Sequence, residues 1–316
     1  SEVETFGIDE SWIELTGSPL LKERTPHEIA DEIRNTVKSE VGLTVSIGIS
    51  FNKIFAKLGS DMKKPDAVTE IGRDTFRDQV WPLPVSDLLY VGRATAEKLG
   101  RYCIRTIGDL ANTERDILRS LLGINGEKIW AYANGLDASR VMPCDYTPPI
   151  KSIGHGITCT ADLVSESEVR GVFLELSQDI GLKLRKQGLA ANGVRITVRD
   201  NTLSHRQYQC KLPFPTQSYL EIYDAGIDMF HRRYSWSNNI RSLTISAIDL
   251  ISADTPVQLD LWTDMSKHKR RIRLEETIED IRRRFGLHAI NFAAAGSMKI
   301  PVQSDIEYKM PSVMYQ

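Results

Sequence analysis

Asp9 and Glu10 stand side by side between two short runs of extended character, Glu2-Val-Glu-Thr-Phe-Gly-Ile and Ser11-Trp-Ile-Glu-Leu-Thr. Carboxylates placed where one strand gives way to the next project from a rigid edge, the arrangement in which a divalent-cation site offers hard oxygen ligands. Taken alone, an acidic pair in a turn is usually ordinary solvated surface. Downstream, Lys53 and Lys57 fall one helical turn apart and Lys64 precedes Pro65. The first two could face a polyanion or line a solvated helix face; Lys63 reads as surface. The four cysteines, Cys103, Cys144, Cys159 and Cys210, show no CxxC spacing and the six histidines no zinc-ligand pattern, so neither disulfides nor a structural metal is expected.

The elements that must hold these groups follow from pattern. Thr25-Pro26-His27-Glu28 combines an N-cap threonine, a proline at the first helical position and a glutamate at the third, which predicts a helix through about Val37. Leu43 to Ser50 reads as a buried strand, and Asn52 to Leu58 has helical spacing that stops before Lys64-Pro65. The strands available are too few for a complete sheet, so residues 1 to 70 are expected to be the least stable part of the chain. From Val85 to about Asp137 short helices alternate with glycine turns. Ala138 to Pro149, with three prolines, reads as an extended tether. A strand (Ser152 to Thr160), a helix (Ser165 to Gln187), two strands (from Gly193 and from Arg206), a helix (Gln217 to Tyr234) and a strand (Ile240 to Leu250) then give the order βαββαβ. An irregular segment to about His268 and a charged, solvated helix from Arg271 to Phe285 follow.

At 316 residues the chain exceeds what one core usually serves, and 41% hydrophobic with 26% charged residues is ordinary for folded domains. No stretch approaches the roughly 20 apolar residues of a membrane span. The N-terminus lacks the pattern of a signal peptide, and a reducing cytoplasm fits the cysteines. A net charge of −2 argues against a histone-like coat for nucleic acid but not against a local phosphate-binding patch.

Two long motifs carry a resemblance. Phe6-Gly-Ile-Asp-Glu-Ser-Trp-Ile-Glu-Leu-Thr-Gly17 resembles the palm motif S-I-D-E of Y-family translesion DNA polymerases, with Gly7 where serine is usual. Ser46-Ile-Gly-Ile-Ser-Phe-Asn-Lys-Ile-Phe-Ala-Lys-Leu-Gly-Ser-Asp-Met-Lys-Lys-Pro65 resembles the family's G-I-x-x-N-K-x-x-A-K-x-x-S-x-x-x-K-P signature. The resemblance implies that Asp9 and Glu10 bind catalytic Mg²⁺, two ions in the intact enzyme, and that Lys64 reaches the triphosphate of an incoming dNTP. The short-helix module around Val91-Gly92-Arg93 resembles a helix-hairpin-helix, with Gly123-Ile-Asn-Gly126 as a less regular second hairpin; such turns offer backbone N–H groups to DNA phosphates. Glycine caps in a plain helical bundle are the alternative. The βαββαβ segment is similar in order to the family's little finger, with Lys151, Ser152, Arg199 and Arg206 as candidate phosphate contacts, or as exposed salt-bridge partners. Gln258-Leu259-Asp260-Leu261-Trp262 resembles the peptide by which bacterial polymerases hold the sliding clamp, through Gln258, Leu259, Leu261 and Trp262; packing of Leu259, Leu261 and Trp262 against the little finger is the alternative.

The expected fold is therefore multidomain α+β: partial polymerase palm (1–71), all-α helix-hairpin-helix thumb (72–137), linker (138–150), βαββαβ little finger (151–252), then clamp-binding peptide, charged helix and tail (253–316). The expected function is part of a DNA-directed DNA polymerase for translesion synthesis and repair, with primer-template DNA, dNTP and the bacterial sliding clamp as partners. The family's earlier D-x-N/D-x-F/Y-A-S-V/C-E motif and its fingers do not occur here, so this chain alone is expected to be inactive. A non-catalytic DNA- and clamp-binding module is the alternative; a metal-dependent nuclease using Asp9 and Glu10 ranks below it.

Overall fold

In the computed structural model, which describes residues 2–256, 265–286, 289–292 and 299, the runs flanking the acidic pair form an antiparallel hairpin of β1 (Val3–Phe6) and β2 (Glu10–Ile13), with Phe6 opposite Glu10. The chain divides between Pro148 and Pro149 into two compact units.

In the first unit, α1 (Pro26–Val41) begins with the capping box of Thr25 and Glu28 and ends at Gly42, whose φ of 72° closes the helix one turn beyond the expected end. Strand β3 (Ile47–Ser50), helix α2 (Lys53–Met62) and strand β4 (Val68–Ile71) form a parallel βαβ unit, with Ile47 opposite Val68. Strand β4 has only four residues, too few for its alternation to stand out from the sequence. Helix α2 starts at Asn52, whose side chain accepts from the Phe55 N–H. Among the described residues five short α-helices follow: α3 (Phe76–Val80), α4 (Arg93–Gly100), α5 (Ile107–Asn112), α6 (Arg115–Leu122) and α7 (Ile124–Ala133). One core runs through Ile54, Phe55 and Leu58 of α2, Ile71 of β4, Phe76 and Val80 of α3, and on to Leu110, Leu118 and Ile129 of the later helices.

Gly48 explains why β3 and α2 can lie so close. A Cβ at this position would sit 1.9 Å from the Ala56 carbonyl oxygen and 2.5 Å from the Ser60 nitrogen, both helix backbone atoms that cannot step aside. Gly48→Ala is therefore expected to destabilise the first unit by about 3 kcal/mol, a drop in melting temperature on the order of 8 °C. An unchanged melting curve would contradict this packing.

The hairpin and the β3–β4 pair are separate two-stranded sheets among the described residues. Their outer backbone groups are open, whereas α2 and β4 are rooted in the shared core. Helix α1 buries only Ile29 and Ala30. Amide hydrogens of β1, β2 and α1 are thus expected to exchange faster than those of α2 and β4. Equal protection across residues 3–71, read by hydrogen exchange, would refute this.

In the second unit the order is β5 (Ser152–Leu163), α8 (Glu166–Gln187), β6 (Leu189–Asp200), β7 (His205–Thr216), α9 (Tyr219–Arg233) and β8 (Ile240–Ser252). The strands form one antiparallel sheet, β5-β8-β6-β7. Alternation assigns its faces: Val194, Ile196, Val198, Leu243, Ile245 and Ala247 turn inward and pack with Val172, Phe173, Leu176, Ile180, Ile222 and Phe230 of the two helices. Helix α10 (Met265–Phe285) begins before the expected Arg271 and is not simply a solvated helix. Its Glu275 is buried, accepting hydrogen bonds from the Ser218 hydroxyl (2.5 Å) and the N–H groups of Tyr219 (3.0 Å) and Leu220 (3.2 Å) at the start of α9. No helix among the described residues is long and apolar enough to cross a membrane.

Candidate functional site

The hairpin turn brings Asp9 and Glu10 to one edge of the first unit. Gly7 opens that turn with φ of 78°, Asp9 stands exposed in it, and Glu10 begins β2 half-buried. Helix α2 lies alongside and delivers Lys57, whose ammonium is 2.9 Å from Glu10 Oε1 and 2.7 Å from Asp61 Oδ2. Asp61 in turn holds Lys64 at 2.8 Å through Oδ1. An alternating chain Glu10–Lys57–Asp61–Lys64 thus joins the two motifs. Burial by itself would lower the pKa of Lys57, but its hydrogen bonds to Asp61 and Glu10 outweigh burial and hold it above the ordinary lysine value. Burial would likewise raise that of Asp61, and the hydrogen bonds from Lys57 and Lys64 bring it below the usual carboxylate range. The donor set of Asp9 and Glu10 fits a hard divalent cation in kind, since both offer carboxylate oxygen. It supplies two protein ligands: no cluster of three or more metal-ligating side chains occurs among the described residues.

Lys53 and Lys57 do not share the environment that their spacing suggested. Lys53 turns to Glu4, 2.7 Å away, and lies 4.3 Å from the ring centre of Trp12. Neither lysine lines a solvated face, because both side chains are mostly buried against carboxylates. Lys63 is exposed, as surface should be.

At the first glycine turn, Gly92 caps α4 and Arg93 begins it, exposed and paired with Glu97 at 2.8 Å. Val91 is buried and its N–H donates to the Leu88 carbonyl, so it has no donor to offer a ligand. At the second turn the Gly123 N–H is used on Arg119 O. Gly126 lies inside α7, where a Cβ would come within 2.1 Å of Leu118 O, so glycine there serves the close packing of α6 on α7. What these turns leave open are the N–H groups of Arg93, Ala94 and Thr95 at the start of α4 and of Ile124 and Asn125 at the start of α7, whereas the Gly126 N–H donates to the Gly123 carbonyl.

The outer face of the second unit's sheet is bare of helices among the described residues. Register places Arg199 beside His205 and Ser242, Thr197 beside Gln207 and Thr244, Arg195 beside Gln209 and Ser246, and Lys211 beside Gly193 on this face. Ser152, opposite Ile248, belongs to it, and exposed Lys151 leads into it. Arg206 pairs with Val198, whose side chain is in the core, so it projects from the opposite face to Arg199. Arg195 and Lys211 are additions to the expected contacts; the signal for them is strict alternation, since Arg195 stands between inward Val194 and Ile196 and Lys211 between Cys210 and Leu212. Gln258, Leu259, Leu261 and Trp262 lie outside the described residues.

Comparison with known proteins agrees over both units. Residues 1–61 match the impB/mucB/samB family and residues 150–261 its C-terminal domain. A protein named DNA polymerase IV from Acetivibrio thermocellus is 41% identical over 288 residues, which cover 91% of this chain and 72% of that protein. Another of that name, from Clostridium kluyveri, is 33% identical over 292 residues, covering 90% and 72%. The fold is similar to that of a solved Y-family DNA polymerase chimera, Dbh-Dpo4(243-245)-Dbh, with TM-score 0.65 at 18% identity over 79% of this chain and 71% of that one. The chain belongs to the impB/mucB/samB family, the Y-family translesion DNA polymerases.

Proposed function

We propose that these residues form part of a template-directed DNA polymerase that joins a dNTP to a primer 3′-OH during translesion synthesis and repair. The observation that carries this reading is the chain Glu10–Lys57–Asp61–Lys64, which sets the acidic hairpin beside a lysine free at one end to meet a triphosphate. Asp9 and Glu10 would hold Mg²⁺, which when bound supplies charge neutralisation for the attacking and leaving oxygens. Lys57 fixes the rotamer of Glu10. Lys64, exposed and held among the described residues only by Asp61, can swing to the β- and γ-phosphate oxygens and neutralise the charge of the departing pyrophosphate. Open N–H groups at the starts of α4 and α7 grip backbone phosphates without reading sequence, while Lys151, Ser152, Arg195, Arg199 and Lys211 track the duplex from the bare sheet face. We also assign sliding-clamp binding to Gln258, Leu259, Leu261 and Trp262, and a cytoplasmic setting, in keeping with four unpaired cysteines.

Two carboxylates do not complete a two-cation site, and the family's other acidic motif is not among these 316 residues. The chain as it stands is therefore expected to bind primer-template DNA without extending it. A primer-extension assay with Mg²⁺ and all four dNTPs tests both halves; incorporation above the level of an Asp9→Ala/Glu10→Ala control would overturn the second.

A further inference from the structure

The segment from Ala138 to Pro148, between α7 and the second unit, has no buried side chain. Its Met142, Pro143, Cys144 and Tyr146 line a cleft of about 350 Å³ beside Phe6 and Trp12 rather than fill a core. Packing of that kind does not fix a strap of eleven residues. Among the described residues, apart from the local bonds of Ser139 to neighbouring Asp137, two hydrogen bonds tie it to the rest of the first unit, and they converge on one ion pair. The Met142 N–H donates to Glu4 Oε2 at 2.7 Å, and Lys53 Nζ donates to the Arg140 carbonyl at 3.4 Å. Glu4 and Lys53 are themselves joined through both carboxylate oxygens, at 2.7 and 2.8 Å. The three ammonium protons of Lys53 are thereby all placed, two on Glu4 and one on the strap. Trp12 completes the assembly, donating from Nε1 to the Lys53 carbonyl at 3.0 Å while its ring lies against the ammonium.

We propose that Glu4 and Lys53 are positioning residues that clasp the strap to the hairpin carrying Asp9 and Glu10, so that the strap and the acidic edge are held or released together. Glu4 lies on β1 and Trp12 on β2, so the same contacts that seize the strap also seat both strands of the hairpin on the N-terminus of α2. A salt bridge serving the hairpin alone would have no use for the bonds to Met142 and Arg140. Lys53 therefore serves neither as a phosphate ligand nor as a solubilising surface charge.

The Arg140–Val141 peptide bond lies between the two clasped groups, which makes trypsin a direct probe of the strap in the full chain. In Lys53→Met, cleavage there and exchange of the Met142 amide are expected to rise at least tenfold, equivalent to about 1.4 kcal/mol in opening free energy. Protection of α5 to α7 should stay unchanged. The reversed pair, Glu4→Lys with Lys53→Glu, separates the clasp from the ion pair: it keeps opposite charges together, but lysine cannot accept from Met142 nor glutamate donate to Arg140. It is expected to leave the strap as open as Lys53→Met does. Wild-type protection in the reversed pair, or a change below twofold in both variants, would overturn the proposal. Should Lys53→Met also loosen α5 to α7, the reversed pair decides.

Discussion

Replacing Arg195, Arg199 and Lys211 together by alanine is expected to weaken binding of primer-template duplex roughly 100-fold at about 0.15 M salt. The three lie on one face of one sheet, on strands paired in register, with no helix over that face among the described residues. Each phosphate contact removed should also lower the slope of log K against log salt concentration by about 0.9, so the triple variant should lose between two and three in slope. Binding isotherms at several salt concentrations give both numbers. Arg206→Ala serves as the internal comparison, because its pairing with buried Val198 puts it on the other face; its effect should stay within about threefold. Equal losses from Arg206→Ala and Arg199→Ala would show that the sheet does not meet DNA through this face.

The other large effect is expected at Glu275. Its carboxylate takes three hydrogen bonds from the start of α9 and lies 3.3 Å from Arg185 Nη1, which also donates to Gln217 O. Arg185 further binds Glu279 at 2.8 Å, and His268 pairs with Glu221 at 3.0 Å, so α10 is fastened to α8 and α9 through polar groups. Glu275→Ala would leave the Tyr219 and Leu220 N–H groups and the Ser218 hydroxyl without their acceptor and is expected to cost about 3 kcal/mol in urea unfolding of the second unit. Burial pushes the Glu275 carboxyl above the ordinary glutamate value of 4.5, against the pull of the Ser218 hydroxyl, the Leu220 and Tyr219 N–H groups and Arg185. A raised folded-state pKa means that protonation favours the folded chain. The advantage of wild type over Glu275→Gln should therefore be greatest below about pH 4.5 and shrink as pH rises through the folded-state value. A deficit that grows with pH would place the carboxylate in a different environment.

Much of the site was legible because its signals are local. The Thr25 capping box, the Asn52 cap before Lys53 and the alternation Val194-Arg195-Ile196-Thr197-Val198-Arg199 each express a backbone preference or a face within a few residues. What failed was the reading of charges by spacing alone. Lys53 and Lys57 share a helix face at i and i+4, yet Lys53 clasps Glu4 and Lys57 clasps Glu10, because the hairpin crossing that face presents a different carboxylate to each. Arg199 and Arg206 looked alike until the register of β6 on β7 separated them. Glu275 looked like one more exposed glutamate in a charged helix, and only the start of α9 docking against it made it buried.

The sequence by itself determined the family, the acidic pair in its turn, the βαββαβ order and the residues able to bear charge or grip a phosphate. Those are matters of residue type and short-range spacing. Tertiary structure alone decided which charges remain available to a ligand and which are consumed. An ion pair or a buried carboxylate depends on atoms brought together from distant parts of the chain, and the free energy of a charge is set by that company rather than by its neighbours in sequence.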